Sequence, residues 1–249
     1  MWIRLLSTIV FLISATYGHE PLFGLGPHTI GQYSWAVESE MEKEGSQLAN
    51  QIEVLYGVFP DLAVTIVVPY ILENEQHPSG LGAIVLRGKY RFWRKDQRGS
   101  STALALHAGM RLRRSSLVAV SAPQSFLGLS FGYESRRHYA FADIRGNFYE
   151  NNETNVNLPF AFFEAAYGIR PWLLEYKQPD LVVLVEILQA FRQNPFTRGT
   201  NALQLSIAPG FLFSVRNIML KGGIKLPLKP STQEKIFILG IEIHMPPFK

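Results

Sequence analysis

The sequence predicts an all-β chain, an antiparallel up-and-down barrel of about twelve strands. Three observations carry that prediction. Apolar residues recur with period two along most of the chain, not with the 3.6 period of a helix. Several alternating runs exceed ten residues, about twice the length of an ordinary strand. Clusters of Gly, Pro, Asp, Asn and charged residues separate the runs. At 249 residues the chain suits one large domain, and its 18% charged residues fall below the usual share for a soluble one.

Strands are expected to start near residues 30, 47, 62, 81, 101, 123, 138, 157, 179, 200, 217 and 235. In the third, Leu62, Val64, Ile66, Val68 and Tyr70 share one face. In the fifth, Leu104, Leu106, Ala108, Met110 and Leu112 oppose Ala103, Ala105, His107, Gly109 and Arg111. In the sixth, Leu127, Leu129, Phe131 and Tyr133 oppose Gly128, Ser130 and Gly132. In the eleventh, Ile218, Leu220, Ile224 and Leu226 oppose Met219, Lys221 and Lys225. In the twelfth, Phe237, Leu239, Ile241 and Ile243 oppose Gly240, Glu242 and His244. Turn signals lie at "FPDL" near 59, "KDQRGS" near 95, "ESRRH" near 134, "SVRN" near 214 and "KPSTQEK" near 229. An even strand count puts both ends of the barrel on one side. The connections near 59, 134 and 214 are then tight and periplasmic, and those near 72–80, 113–122 and 150–156 are longer and extracellular. The link at 170–180 breaks that trend.

Residues 1–18 read as a secretory signal: Arg4, an apolar run from Leu5 to Ile13, then Thr16 and Gly18 before the cut. Residues 19–29 are expected to form a periplasmic lead, and 30–249 the barrel. "GLGPHT" at 24–29 is not a dinucleotide fingerprint, because Thr29 replaces the third Gly and no strand precedes it. "SGLG" at 79–82 is followed by a strand, not a helix, and is rejected as well. If cleavage falls after Gly18, the ring and free amine of His19 would chelate one Cu(II), with His28 as a further ligand. The alternative is that His19 and His28 are polar residues of a segment at the barrel mouth, since two histidines make an incomplete site. No other cofactor is expected. The absence of Cys excludes disulfides, zinc–thiolate sites and thiol catalysis. A net charge of +4 without a dense Lys/Arg stripe argues against nucleic acid.

The two faces of the strands differ in kind. One is continuously apolar. The other carries Glu53, Arg87, Lys89, Arg91, His107, Arg111, Asp143, Arg145, Glu164, Glu186, Lys221 and Lys225, together with Gln51, Asp180 and Glu242. In a transmembrane barrel the apolar face meets lipid and the polar face lines the lumen. Closure satisfies every backbone N–H and C=O, which lipid cannot do. Strands of roughly nine to eleven residues suffice to cross, because they are tilted. Tyr33, Trp35, Tyr56, Tyr70, Tyr90, Phe92, Tyr133, Phe148 and Tyr167 near strand ends fit aromatic girdles. The lumen charges have two readings. They select ions in an open bore, or they pair across it and leave it mostly closed with low conductance; unpaired burial would cost more. A lipid hydrolase needs a Ser and a His in reach. Ser115, Ser116, Ser121 and Ser125 near one loop are not placed beside His107 or His138 by any motif, so no enzyme is expected.

Several stretches also carry a family likeness: "GHEPLFGLGPHTI", "VLYGVFPDLAVTIVVPY" at 54–70, "SGLGAIVLRGKYRFWR" at 79–94, "ESRRHYAFADIRGNF" at 134–148, "YGIRPWLLEYKQPDLVVLVEIL" at 167–188 and "APGFLFSVRNIMLKGGIKLPL" at 208–228. In these the chain resembles bacterial outer-membrane barrel transporters of the MetA-pathway of phenol degradation type. The likeness covers nearly all of the chain after residue 18. It departs at the end, where "IEIHM" is followed by "PPFK" instead of closing on a final aromatic strand. The resemblance implies a barrel in a Gram-negative outer membrane that passes small aromatic or other apolar solutes. Its partners would be outer-membrane lipids including lipopolysaccharide, the barrel insertion machinery and the solute itself.

Overall fold

The computed structural model describes residues 20–73, 79–112, 125–148, 161–173, 178–191, 203–228 and 234–247. Its strands are β1 (Trp35–Glu44), β2 (Gln47–Phe59), β3 (Leu62–Glu73), β4 (Gly80–Leu81), β5 (Val85–Gln97), β6 (Ser100–Arg111) and β7 (Ser125–Ser135). They continue as β8 (His138–Phe148), β9 (Ala161–Ile169), β10 (Asp180–Phe191), β11 (Leu203–Val215), β12 (Ile218–Pro227) and β13 (Ile236–Met245). No helix occurs among the described residues.

Every strand pairs antiparallel with its neighbour, and β1 pairs with both β2 and β13. The seam runs from Trp35↔Met245 to Glu44↔Ile236. The twelve long strands therefore close into one barrel. The short β4 hangs on β3 through Tyr70↔Leu81, and Gly82 N–H donates to Pro69 O (2.8 Å). That hook delays β5 to Val85, later than the expected start near 81. Strand β1 also starts later than expected, at Trp35, because residues 31–34 form a turn. Ser34 N–H donates to Gly31 O (3.0 Å), and Tyr33 takes a left-handed φ of 62°.

One rim carries the two-residue turns 60–61, 98–99, 136–137 and 216–217, together with the longer link 170–179. Arg170 ties that link down. It meets Asp180 through Nε (2.8 Å) and Nη2 (2.9 Å), and its Nη1 donates to Ser135 O (2.5 Å). At the 216–217 turn Arg216 holds φ at 56°, a region that costs a non-glycine residue about 1 kcal/mol or more. Arg216→Gly is expected to raise the thermal unfolding midpoint in detergent by a few degrees, roughly 2–4 °C. A lowered midpoint would contradict this.

Side chains alternate across the wall along most of each strand. Val64 and Ile66 of β3, Leu127 and Leu129 of β7, Val183, Val185 and Ile187 of β10, and Leu239 and Ile241 of β13 are exposed on the outside. Leu239 is 61% exposed. Charged residues occupy the inner face: Glu38, Glu40, Glu53, Lys89, Arg91, Asp143, Glu164, Glu186, Lys221 and Glu242 are all buried. This inverts a soluble protein, which does not leave so large a contiguous apolar surface open to water. On β5 a bulge between Arg91 and Trp93 turns both Phe92 and Trp93 outward, which thickens the aromatic edge at the turn rim.

Candidate functional site

Residues 20–31 precede the first strand. They run inside the barrel, against its inner wall. Leu22, Leu25 and Ile30 need an apolar environment, and the inner wall supplies one in two places. Leu22 clusters with Tyr139, Phe141, Ala166, Val182, Leu184 and Leu212. Ile30 clusters with Ala36, Leu55 and Ala63. Gly210 and Gly223 make room for Leu22: a Cβ on either would stand 2.2 or 2.5 Å from Leu22 Cδ1. A larger side chain at either position would require Leu22 to give way.

Polar anchors fix the same segment. The Leu22 and Phe23 N–H groups both donate to the Glu186 carboxylate, at 2.5 and 3.1 Å. These two donors have no strand partner, so the carboxylate completes their bonding inside the wall. Lys89 pairs with Glu20 and donates to His28 O (3.2 Å). Thr29 Oγ1 donates to Pro60 O (3.2 Å) at the turn rim. Lys225 Nζ stands 5.7 Å from the centre of the Phe23 ring. Residues 20–31 thus form a plug, and β5, β8, β10, β11 and β12 all touch it.

The remaining inner charges pair with one another along the inner wall, mostly between strands separated by one other strand. Arg87 meets Glu53 at 2.7 Å, and Gln51 donates to the other Glu53 oxygen at 2.8 Å. Arg91 meets Asp61 (2.8 Å) and Pro60 O (3.1 Å) at the β2–β3 turn. His107 Nε2 meets Asp143 Oδ1 at 2.6 Å. Arg145 joins Asp143 (3.2 Å) to Glu164 (3.0 Å). Lys221 is held between Glu38 and Glu40. His244 meets Glu242 at 3.0 Å. Arg111 sits on the inner face of β6, opposite Val85 of β5. In the low dielectric of a filled lumen, such pairing replaces the hydration each charge has lost.

The structure therefore joins Glu53 to Arg87, His107 to Asp143, and Arg145 to Glu164. It takes Lys89, Glu186 and Lys225 out of the wall network and gives them to the plug. Glu20, Glu38, Glu40, Asp61 and Arg170 were missed by sequence reasoning. The acids of β1 were visible, since Glu38, Glu40, Glu42 and Glu44 alternate along "WAVESEMEKE". Residues 1–19, including His19, lie outside the described residues, as do Ser115, Ser116, Ser121 and residues 150–156. His28 gives its backbone carbonyl to Lys89, and among the described residues no three His, Cys, Asp or Glu side chains group around a metal position. His138 lies at the turn rim, where Nδ1 meets the Tyr167 hydroxyl at 2.8 Å.

Two solved structures share this architecture. The KdgM porin is 8% identical, with a TM-score of 0.50, over 84% of this chain and 98% of that one. The KdgM porin in complex with disordered oligogalacturonate is also 8% identical, with a TM-score of 0.51 and the same coverage. At that identity the likeness is one of fold. No family model and no curated protein matches the chain.

Proposed function

We propose that the chain is an outer-membrane barrel that passes small solutes when residues 20–31 yield the lumen. The carrying observation is the division of the wall: charges inside, an unbroken apolar surface outside, and a separate segment seated in the bore. The porin-like fold supports a membrane barrel. The rim of two-residue turns faces the periplasm on this reading, as in bacterial barrels generally. Bilayer lipids and the solute are its partners, and insertion would use the machinery that serves other such barrels.

Small aromatic or apolar molecules are the proposed solutes. Two features support this. The resemblance to the MetA-pathway type points there, and Tyr139, Phe141, Leu184 and Leu212 border the plug where a solute would pass. No catalysis is assigned: His107 is tied to Asp143 inside the lumen, away from lipid. Proteoliposomes holding the intact chain are expected to take up phenol several-fold faster than protein-free vesicles, with no matching gain for glucose, and planar bilayers to carry only small, brief currents. A large steady current, or equal gains for the two solutes, would overturn the reading.

A further inference from the structure

Two turns meet on the turn rim and leave three arginines without a carboxylate. Arg136 N–H donates to Gly99 O (3.2 Å), which ties the β7–β8 turn to the β5–β6 turn. Arg98, Arg136, Arg137 and His138, with Gly99 and Ser135, line an open pocket of about 480 Å³. All three arginines are exposed, and among the described residues none of the three guanidinium groups meets an acid. The nearby rim arginines Arg94 and Arg170 are paired, with Asp96 and Asp180.

The pocket is held in shape before anything binds. Ser135 Oγ accepts the N–H groups of Arg137 (3.3 Å) and His138 (2.9 Å). Arg170 Nη1 grips Ser135 O from below. His138 leans on Tyr167, their rings 6.1 Å apart and 27° from parallel, and Tyr167 is 56% exposed on the outer face. A ligand in the pocket therefore touches the basic turns, and His138 links that pocket to Tyr167 at the edge of the apolar wall. Guanidinium forks fit the oxygens of a phosphate, and an interfacial Tyr sits at headgroup depth.

We infer that this pocket binds the phosphate of a membrane phospholipid headgroup. It rests on the membrane placement proposed above, so insertion is scored separately. Delipidated protein in detergent would be titrated with short-chain phosphatidylglycerol, with the matching diacylglycerol, and with inorganic phosphate, and the complexes read by native mass spectrometry. The expected result is retention of phosphatidylglycerol at least tenfold above diacylglycerol and above phosphate alone. Retention should fall tenfold or more in Arg98→Gln/Arg136→Gln/Arg137→Gln, and in the unaltered chain as salt is raised. Equal retention of diacylglycerol, or no change in the variant or with salt, overturns the site. Phosphate bound as tightly as the lipid overturns the lipid source. A chain that inserts into vesicles yet fails these tests loses this site alone, while one that does not insert loses the membrane placement too.

Discussion

Glu186→Ala combined with Lys89→Met is expected to raise the open fraction in planar bilayers by roughly 100-fold. Glu186 accepts two plug N–H groups, and Lys89 holds both Glu20 and the His28 carbonyl. Bonds to charged groups contribute about 1.5–3 kcal/mol each, so losing both anchors removes upwards of about 3 kcal/mol. Burial of Leu22 still holds the segment with about 1.5–3 kcal/mol, so it should leave and return instead of staying out. A lock makes the test specific. The chain has no Cys, so Leu22→Cys with Gly210→Cys gives a single cross-linkable pair. Leu22 Cδ1 already lies 2.2 Å from where a Gly210 Cβ would stand, which brings the two Cβ atoms near bonding range. Added to the anchor variant, the oxidised pair should abolish the current and its reduction should restore it. Unchanged conductance in the anchor variant would show that residues 20–31 do not control the bore.

Lys221→Met is expected to cost the most stability of any single change in the wall, about 3–5 kcal/mol. Lys221 lies buried between Glu38 and Glu40 at the seam-side strands β1 and β12. Removing it leaves two adjacent carboxylates facing each other without a cation. The urea midpoint of the chain in lipid vesicles, followed by Trp fluorescence, should fall accordingly. Lys221→Met with Glu38→Gln and Glu40→Gln should recover most of the loss, because neutral amides need no counter-charge. A single variant as stable as the parent would mean that water or another cation already serves the pair.

Much of the wall could be read from the residues alone, because a strand writes its two faces into alternate positions. Leu104, Leu106 and Met110 against His107 and Arg111 needed only that rule, and β6 obeys it from end to end. The start of β5 was harder. Gly80 and Leu81 look like strand, and they are, but they fold back on β3 instead of beginning β5. The plug was hidden for a different reason. "PLFGLGPHTIG" has no period, its glycines and prolines suit a loop anywhere, and its main anchor lies 164 residues away. Nothing local says that Leu22 belongs with Glu186. Glu38 and Glu40 were legible as inward positions, but their shared lysine, Lys221, lies on the twelfth strand of thirteen, beyond any pattern within β1.

The reach of that anchor also bears on when the molecule becomes hard to take apart. Glu186, Gly210 and Gly223 lie in strands made late in synthesis, so the plug has no seat until most of the chain exists. Its contacts are long-range, with the Glu186 anchor 164 residues from Leu22. Interactions absent from the folding transition state do not speed folding; they slow unfolding. Residues 20–31 are thus expected to act as a kinetic latch: weakening their anchors should speed unfolding of the assembled barrel and leave its folding rate unchanged.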